Sequence, residues 1–220
     1  MHKEKNDATG FIPVFQKTFL HPRFWGVWLG AGAIAALAYI PPKFRDPLLA
    51  GIGRLAGKFA KSARRRARIN LLYCMPELPE SEREHIIDQM FATAAQPLMM
   101  MAELCFRDPK KVLTRVHWHG QEILDELQQQ ERNVILLVPH AWSIDIPAML
   151  LAEQGKPVAG MFHHQRNPLV DYLWNSARLH FGGRIHARES GIKPFISSVR
   201  QGFWGYYLPD EDYGPEQSEF

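Results

Sequence analysis

Only two cysteines occur in the 220 residues, Cys74 and Cys105, and neither belongs to a C-x-x-C pair. Their scarcity excludes a disulfide scaffold and a cysteine-based zinc framework, and it suits a reducing compartment. No G-x-S-x-G run is present, so the serine nucleophile elbow is missing too. The histidine pairs His117/His119 and His163/His164 have no third ligand at metal-binding spacing, and neither a metal nor another cofactor is implied. Gly51, Gly53 and Gly57 do not follow a strand, which removes the phosphate-cradling glycine loop. Nor does one sign of charge dominate: the net charge of +3 gives no footprint for nucleic acid, and the short run RRRAR at 64–68 does not change that.

What the chain does contain is apolar. At 46% hydrophobic residues it can build one well-packed domain with a small appended element. Residues 24–40, FWGVWLGAGAIAALAYI, form a charge-free run between Arg23 and Pro41-Pro42. The run is at the short end of what spans a bilayer, roughly 17 to 25 residues. Trp25, Trp28 and Tyr39 stand near its ends, where interfacial aromatics are favoured. A membrane-inserted segment is therefore expected, as a span or a shallow hairpin, with a buried core helix as the alternative. Next comes a basic amphipathic stretch, in which Leu48, Leu49, Ile52, Leu55 and Phe59 recur at helical spacing among Arg54, Lys58, Lys61 and Arg64–Arg68. Behind an apolar anchor, such a helix suits an anionic membrane face, and the basic cluster tips the C-terminal side toward the cytoplasm. Residues 81–106 read as helical with an interruption at Pro97, and Ser81 with Glu84 fits a capping box.

From about residue 115 strand and helix alternate. RVHWH, NVILLVP, PVAGMF, RIHA and FWGYYLP read as strands. QEILDELQQQ, SIDIPAMLLAEQ, PLVDYLWNSARLHF and IKPFISSVRQ between them read as helices. This pattern predicts an α/β fold with a mostly parallel sheet flanked by helices, preceded by the membrane-associated helical segment. The expected division is a tail and anchor at 1–42, a basic amphipathic helical region at 43–110, and an α/β domain at 111–220.

In open sheets of this kind ligands gather beyond the carboxyl ends of the strands. His140 follows the apolar run 134–138 by two residues, and Asp145 follows five later. Two residues five apart in one helix would be about 140° apart, so the pair can meet only if His140 precedes a helix and Asp145 lies in its first turn. Ser143 is a suitable N-cap for that helix, and Pro147 is tolerated among its first residues. The spacing permits a catalytic His–Asp contact, but an acid in a first helical turn is also favoured by the helix dipole alone. The same H-x4-D/E spacing recurs at His2/Asp7 and His117/Glu122, which read as accidental and structural respectively. Three further segments add polar groups at strand ends: HHQRNP with Arg166, GGRIHAR with Arg184 and Arg188, and LPDEDYGP with Asp210 and Asp212. All are expected on one rim with His140.

These blocks resemble those of the late lipid A acyltransferase family, within the superfamily that acylates glycerolipids and lipid A. His140–Asp145 matches its H-x4-D block. Gly182–Arg188 matches a second block in spacing, with Arg184 and His186 more polar than its usual apolar filling. Pro209-Asp210, continuing through Asp212-Tyr213-Gly214, matches the third. RRRARINLLYCMPELPESERE and HPRFWGVWLG resemble the N-terminal half of the same family. The resemblance covers nearly the whole chain and implies an inner-membrane enzyme, single-pass or tightly associated, with its catalytic domain on the cytoplasmic side. Its implied reaction moves a fatty acyl group from acyl carrier protein to a 3-hydroxyacyl chain of a Kdo-bearing lipid A precursor. Myristoyl rather than lauroyl follows from the resemblance alone. Family members continue past the third block, so a chain truncated at its C-terminus is expected, either active or an inactive membrane-bound fragment of the same fold.

A fatty hydroxyl is a poor nucleophile near neutral pH, and neutral histidine suits the task of taking its proton. The expected roles are His140 as general base and Asp145 as the carboxylate that holds its imidazole. Arg188 is expected to bind an anionic group of the acceptor, with Arg166 and Arg184 behind it, and the basic face around Arg64–Arg68 is expected to receive either the acidic carrier protein or anionic lipid. Asp210 is expected to orient Arg188 or a hydroxyl, or to form a structural pair with an arginine. A phospholipid-forming acyltransferase acting on lysophosphatidate would use the same chemistry.

Overall fold

The structure is a computed structural model and describes residues 10–210. The chain divides into two compact units, residues 1–30 with 113–220 and residues 31–112. Residues 10–30 belong to the unit that holds the sheet. Phe19 and Phe24 are buried with Leu169 in a cluster flanked by Tyr172, and the Phe11 N–H bonds to the Ile185 carbonyl at 2.7 Å.

In chain order the helices before the sheet are α1 (Trp25–Ala38), α2 (Pro42–Phe59), α3 (Lys61–Cys74), α4 (Glu80–Thr93), α5 (Gln96–Phe106) and α6 (Pro109–Leu113). The apolar run at 24–40 thus yields a helix of 14 residues, about 21 Å long against a hydrocarbon core of about 30 Å. Among the described residues no helix is long and apolar enough to cross a membrane. Pro41 and Pro42 end the run by starting the next helix.

Within unit 31–112, α4 packs against both α2 and α3. The contact with α2 is close because Gly53 and Gly57 face it: a β-carbon on Gly57 would lie 2.6 Å from the Phe91 ring. Arg64 bonds to Glu84 at 3.0 Å and Asp88 at 2.7 Å, and Arg68 also pairs with Glu84. Half of the basic cluster is therefore spent on α4. This changes the role expected of Glu84: α4 opens at Glu80 behind Pro79 with no side-chain cap, so the Ser81/Glu84 capping box does not form. Two guanidinium groups hold the Glu84 carboxylate, chiefly Arg68, and push its pKa down to about 2. Arg45 and Glu103 form a fully buried ion pair at 2.7 Å. Pro97 lies in the first turn of α5, where its missing N–H costs nothing.

The sheet unit adds α7 (Gln121–Gln129), β1 (Ile135–Leu137), α8 (Asp145–Glu153), β2 (Val158–Phe162), α9 (Pro168–Arg178), β3 (Arg184–Ala187), α10 (Lys193–Arg200) and β4 (Trp204–Tyr207). The four strands run in the order β1-β4-β2-β3, and every pairing is parallel. RVHWH is not a strand: its alternation is short, and it pairs with none of the four. Successive side chains point to opposite faces. Ala159 packs with Phe195 and Val199 of α10, whereas Phe162, Ile185 and Ala187 pack on the other side with Leu179. His186 is buried on the α10 face at 2.9 Å from Ser198 Oγ, and burial, then the charge of Arg184, lowers its pKa. The Tyr206 hydroxyl donates to the Ile144 carbonyl at 2.7 Å, tying β4 to the start of α8.

Candidate active site

The site is set by the pairing of the first and last strands. β1 and β4 are neighbours with Ile135 opposite Gly205, Leu136 opposite Tyr206 and Leu137 opposite Tyr207. One more ladder bond follows, from the Val138 N–H to the Tyr207 carbonyl at 2.9 Å. Then each strand meets a proline, Pro139 or Pro209, which has no N–H to continue the ladder. The next residues in the same register are His140 and Asp210. The Asp210 carboxylate accepts from the His140 backbone N–H through Oδ2 and faces its ring Nδ1 through Oδ1, both at 2.7 Å. Both side chains remain about 40% exposed (42% and 39%), so the pair is open at the carboxyl edge. The backbone N–H of His140, followed by its ring, holds the Asp210 carboxyl below the usual carboxylate range.

Asp145 has different partners. It opens α8, where the helix dipole favours an acid, and Arg178 Nε donates to its Oδ1 at 2.8 Å. Its Oδ2 accepts from Trp174 Nε1 at 3.0 Å and Arg178 Nη2 at 3.3 Å. No hydrogen bond joins His140 to Asp145 among the described residues. Ser143 does not cap the helix by its side chain; Ile144 precedes α8, and Ser143 gives only its backbone carbonyl, to Ile146. A one-residue shift in the helix start therefore accompanies the change of partner. Burial, with the Asp145 charge adding to it, raises the pKa of Tyr206, so this phenol stays protonated.

Trp174 and Arg178, on the face of α9 turned to Asp145, were missed by the motif. The signal was present as a polar stripe at Asp171, Trp174, Asn175 and Arg178, spaced three and four apart. It continues as a network: Arg178 Nη1 donates to Asn175 Oδ1 at 3.3 Å, and Asn175 Nδ2 to Asp171 Oδ1 at 3.2 Å. Asp171 also takes the Gln165 N–H and the His164 ring, each at 2.8 Å. This fixes the loop that carries Arg166 after β2.

The arginines divide between the two edges of the sheet. Arg188 directly follows β3 and Arg166 lies beyond β2; both are exposed on the same edge as His140. With three strand spacings between β1 and β3, that edge is roughly 14 Å wide. Arg184 begins β3 and so stands at the opposite, amino edge. Its guanidinium donates to Gln201 Oε1 at 2.6 Å and lies over the Phe203 ring. The expectation that it shares the rim is corrected: β3 runs four residues, from Arg184 at its amino end to Ala187 just before Arg188. Asp212 lies outside the described residues. Among the described residues no histidine, cysteine or carboxylate cluster is arranged to hold a metal ion.

A family model described as bacterial lipid A biosynthesis acyltransferase matches residues 12–220. The lipid A biosynthesis myristoyltransferase of Escherichia coli (strain K12) is 60% identical over 220 residues, covering all of this chain and 68% of the relative. Lipid A biosynthesis acyltransferase 1 of Shigella flexneri shows the same identity and coverage. The lipid A biosynthesis lauroyltransferase of Escherichia coli (strain K12) is 31% identical over 212 residues, which is 95% of this chain and 68% of that protein.

Proposed function

The chain belongs to the bacterial lipid A biosynthesis acyltransferase family, and on that premise we propose that it transfers a fatty acyl group to a lipid A precursor with His140 as general base. The observation that carries the mechanism is the in-register pair His140–Asp210 at the open carboxyl edge of a parallel sheet. With Nδ1–H directed at Asp210, the imidazole has its lone pair on Nε2. That nitrogen takes the proton of a 3-hydroxyl group on the acceptor as the hydroxyl oxygen attacks the thioester carbonyl carbon. A C–O bond forms, the C–S bond breaks, and the imidazolium returns the proton to the departing thiolate. Asp210 stabilises the imidazolium and fixes the tautomer, the part the motif spacing had given to Asp145. Asp145, clamped by Trp174 and Arg178, is a positioning residue that anchors the start of α8 and the loop bearing His140. No acyl-enzyme is required, and the transfer is direct.

Arg188, and behind it Arg166, binds a phosphate or sugar-acid carboxylate of the acceptor, since a planar guanidinium contacts paired oxygens. The donor is an acyl group on acyl carrier protein, with myristoyl as the chain. The protein works at the cytoplasmic face of the bacterial inner membrane, held there tightly without a spanning helix among the described residues. The test is to supply purified protein with labelled myristoyl-acyl carrier protein and either a Kdo-bearing lipid A precursor or lysophosphatidate. Label is expected in the lipid A precursor. Label in lysophosphatidate alone would move the enzyme to phospholipid synthesis, and no transfer to either would leave the fold without the activity.

A further inference from the structure

Helix α2 carries an apolar stripe that the protein itself leaves bare. Phe44, Leu48, Ile52, Leu55 and Phe59 are each between 54% and 78% exposed. At about 100° per residue they fall within an arc of roughly 80° that runs the length of the helix, with Gly57 opposite its centre. The tight contact of Gly53 and Gly57 with Phe91 and Ala92 of α4 therefore points the stripe away from its own unit. Leaving five such side chains in water is unfavourable, and a contiguous apolar patch of this extent marks an interaction site.

Charge identifies the partner. Between Lys43 and Arg66 the sequence has eight cations, and Asp46 is its one carboxylate. Arg45 and Arg64 are used internally. Lys43, Arg54, Lys58, Lys61, Arg65 and Arg66 are exposed, and none of these six stands in an ion pair among the described residues. On α2, Arg54 and Lys58 border the stripe on one side. An aliphatic and aromatic stripe without hydrogen-bonding groups, bordered by long cationic side chains that reach past it, is complementary to an anionic lipid surface: the stripe enters the acyl region and the cations stay among the headgroups. We infer that α2 lies in the plane of an anionic bilayer with Phe44, Leu48, Ile52, Leu55 and Phe59 inserted at the headgroup boundary. The charge comes mainly from α2 and the start of α3, because Arg64 and Arg68 of the more conspicuous RRRAR run are committed to α4. The inference rests on the proposed function only in taking a lipid membrane as the working surface.

The test uses the full chain with Cys74→Ser and Cys105→Ser, an environment-sensitive nitrobenzoxadiazole label on Ile52→Cys or Leu55→Cys, and a control label on Glu82→Cys, an exposed position of α4. Vesicles of phosphatidylglycerol and phosphatidylethanolamine are expected to give a blue shift and a several-fold rise in emission at 52 and 55. Spin-labelled lipid should quench that signal, and the label at 82 should show neither effect. Phosphatidylcholine vesicles should give a smaller response. Vesicle-bound protein with 52 and 55 still in water would overturn the inference, as would a blue shift before any lipid is added, which would assign the stripe to a second copy. Because the readout involves no acyl transfer, it stands or falls separately from the enzymatic reading.

Discussion

At the residue scale, the carboxylate beside His140 is Asp210, 70 positions away, and not the nearby Asp145. Its two bonds from one residue have a measurable consequence. Because the folded pKa of Asp210 is depressed, the stabilisation it contributes is complete above the unfolded value near 3.9 and is lost only as pH falls through the lower folded value. Carbon-detected titration of the Asp210 carboxyl should show a midpoint below about 3.9. In His140→Ala the midpoint should rise part of the way, since the ring bond is lost and the larger backbone N–H bond stays. A midpoint at the ordinary value in the wild type would remove the pair from solution. The sequence made His140 and Asp210 visible as polar groups at strand ends. It did not show their contact, because strand order is set by tertiary packing and cannot be read from local pattern. Asp145 had an equally good local reason for its place, the first turn of a helix, and Arg178 supplied the partner from another element.

Among elements, the α2–α4 contact and the ion pairs behind it are the parts most exposed to test. A β-carbon on Gly53 would fall well inside contact distance of the Phe91 carbonyl. Gly53→Ala should therefore cost about 1 to 3 kcal/mol despite the better helix propensity of alanine, read from urea denaturation. Glu84→Gln removes a carboxylate held down to about 2. The sign is that of a depressed acid: its contribution is present above the unfolded pKa near 4.3 and disappears between there and about 2. The variant should lose about 1 kcal/mol at neutral pH, the scale of a partly exposed pair, and its stability should change less than that of the wild type as pH falls from 4.5 to 2. Local pattern located most of these elements well: RIHA was read to the residue, and the four helices of the α/β part to within a few residues. It failed where the cause was not local. RVHWH had the alternation of a strand without a neighbour to pair with, and Glu84 had the spacing of a capping box but two arginines from α3 within reach.

For the molecule as a whole, the parallel sheet sorts the arginines by edge. Gly182–Arg188 was read as one block, yet Arg184 opens β3 and Arg188 follows its last residue, Ala187, and a strand of four residues is about 13 Å long. Arg188→Ala should raise the KM for the lipid A acceptor about tenfold or more, as expected for a lost charged contact, and Arg184→Ala should leave that KM unchanged. Equal effects of the two would mean that the acceptor does not lie along the carboxyl edge. The sequence showed a mostly parallel α/β architecture, and the four-stranded sheet with helices on both faces has that form. The composition of the apolar run at 24–40 suits a membrane, but its helix is 14 residues long, and a separate helix begins at Pro42.

The central claim is that His140 acts as the base. The most direct measurement is the rate of labelled acyl transfer from acyl carrier protein to the lipid A precursor by purified wild type and His140→Ala, with circular dichroism establishing that both are folded. The account predicts a fall of about 10² to 10⁴ in kcat; transfer at the wild-type rate by the folded variant would contradict it.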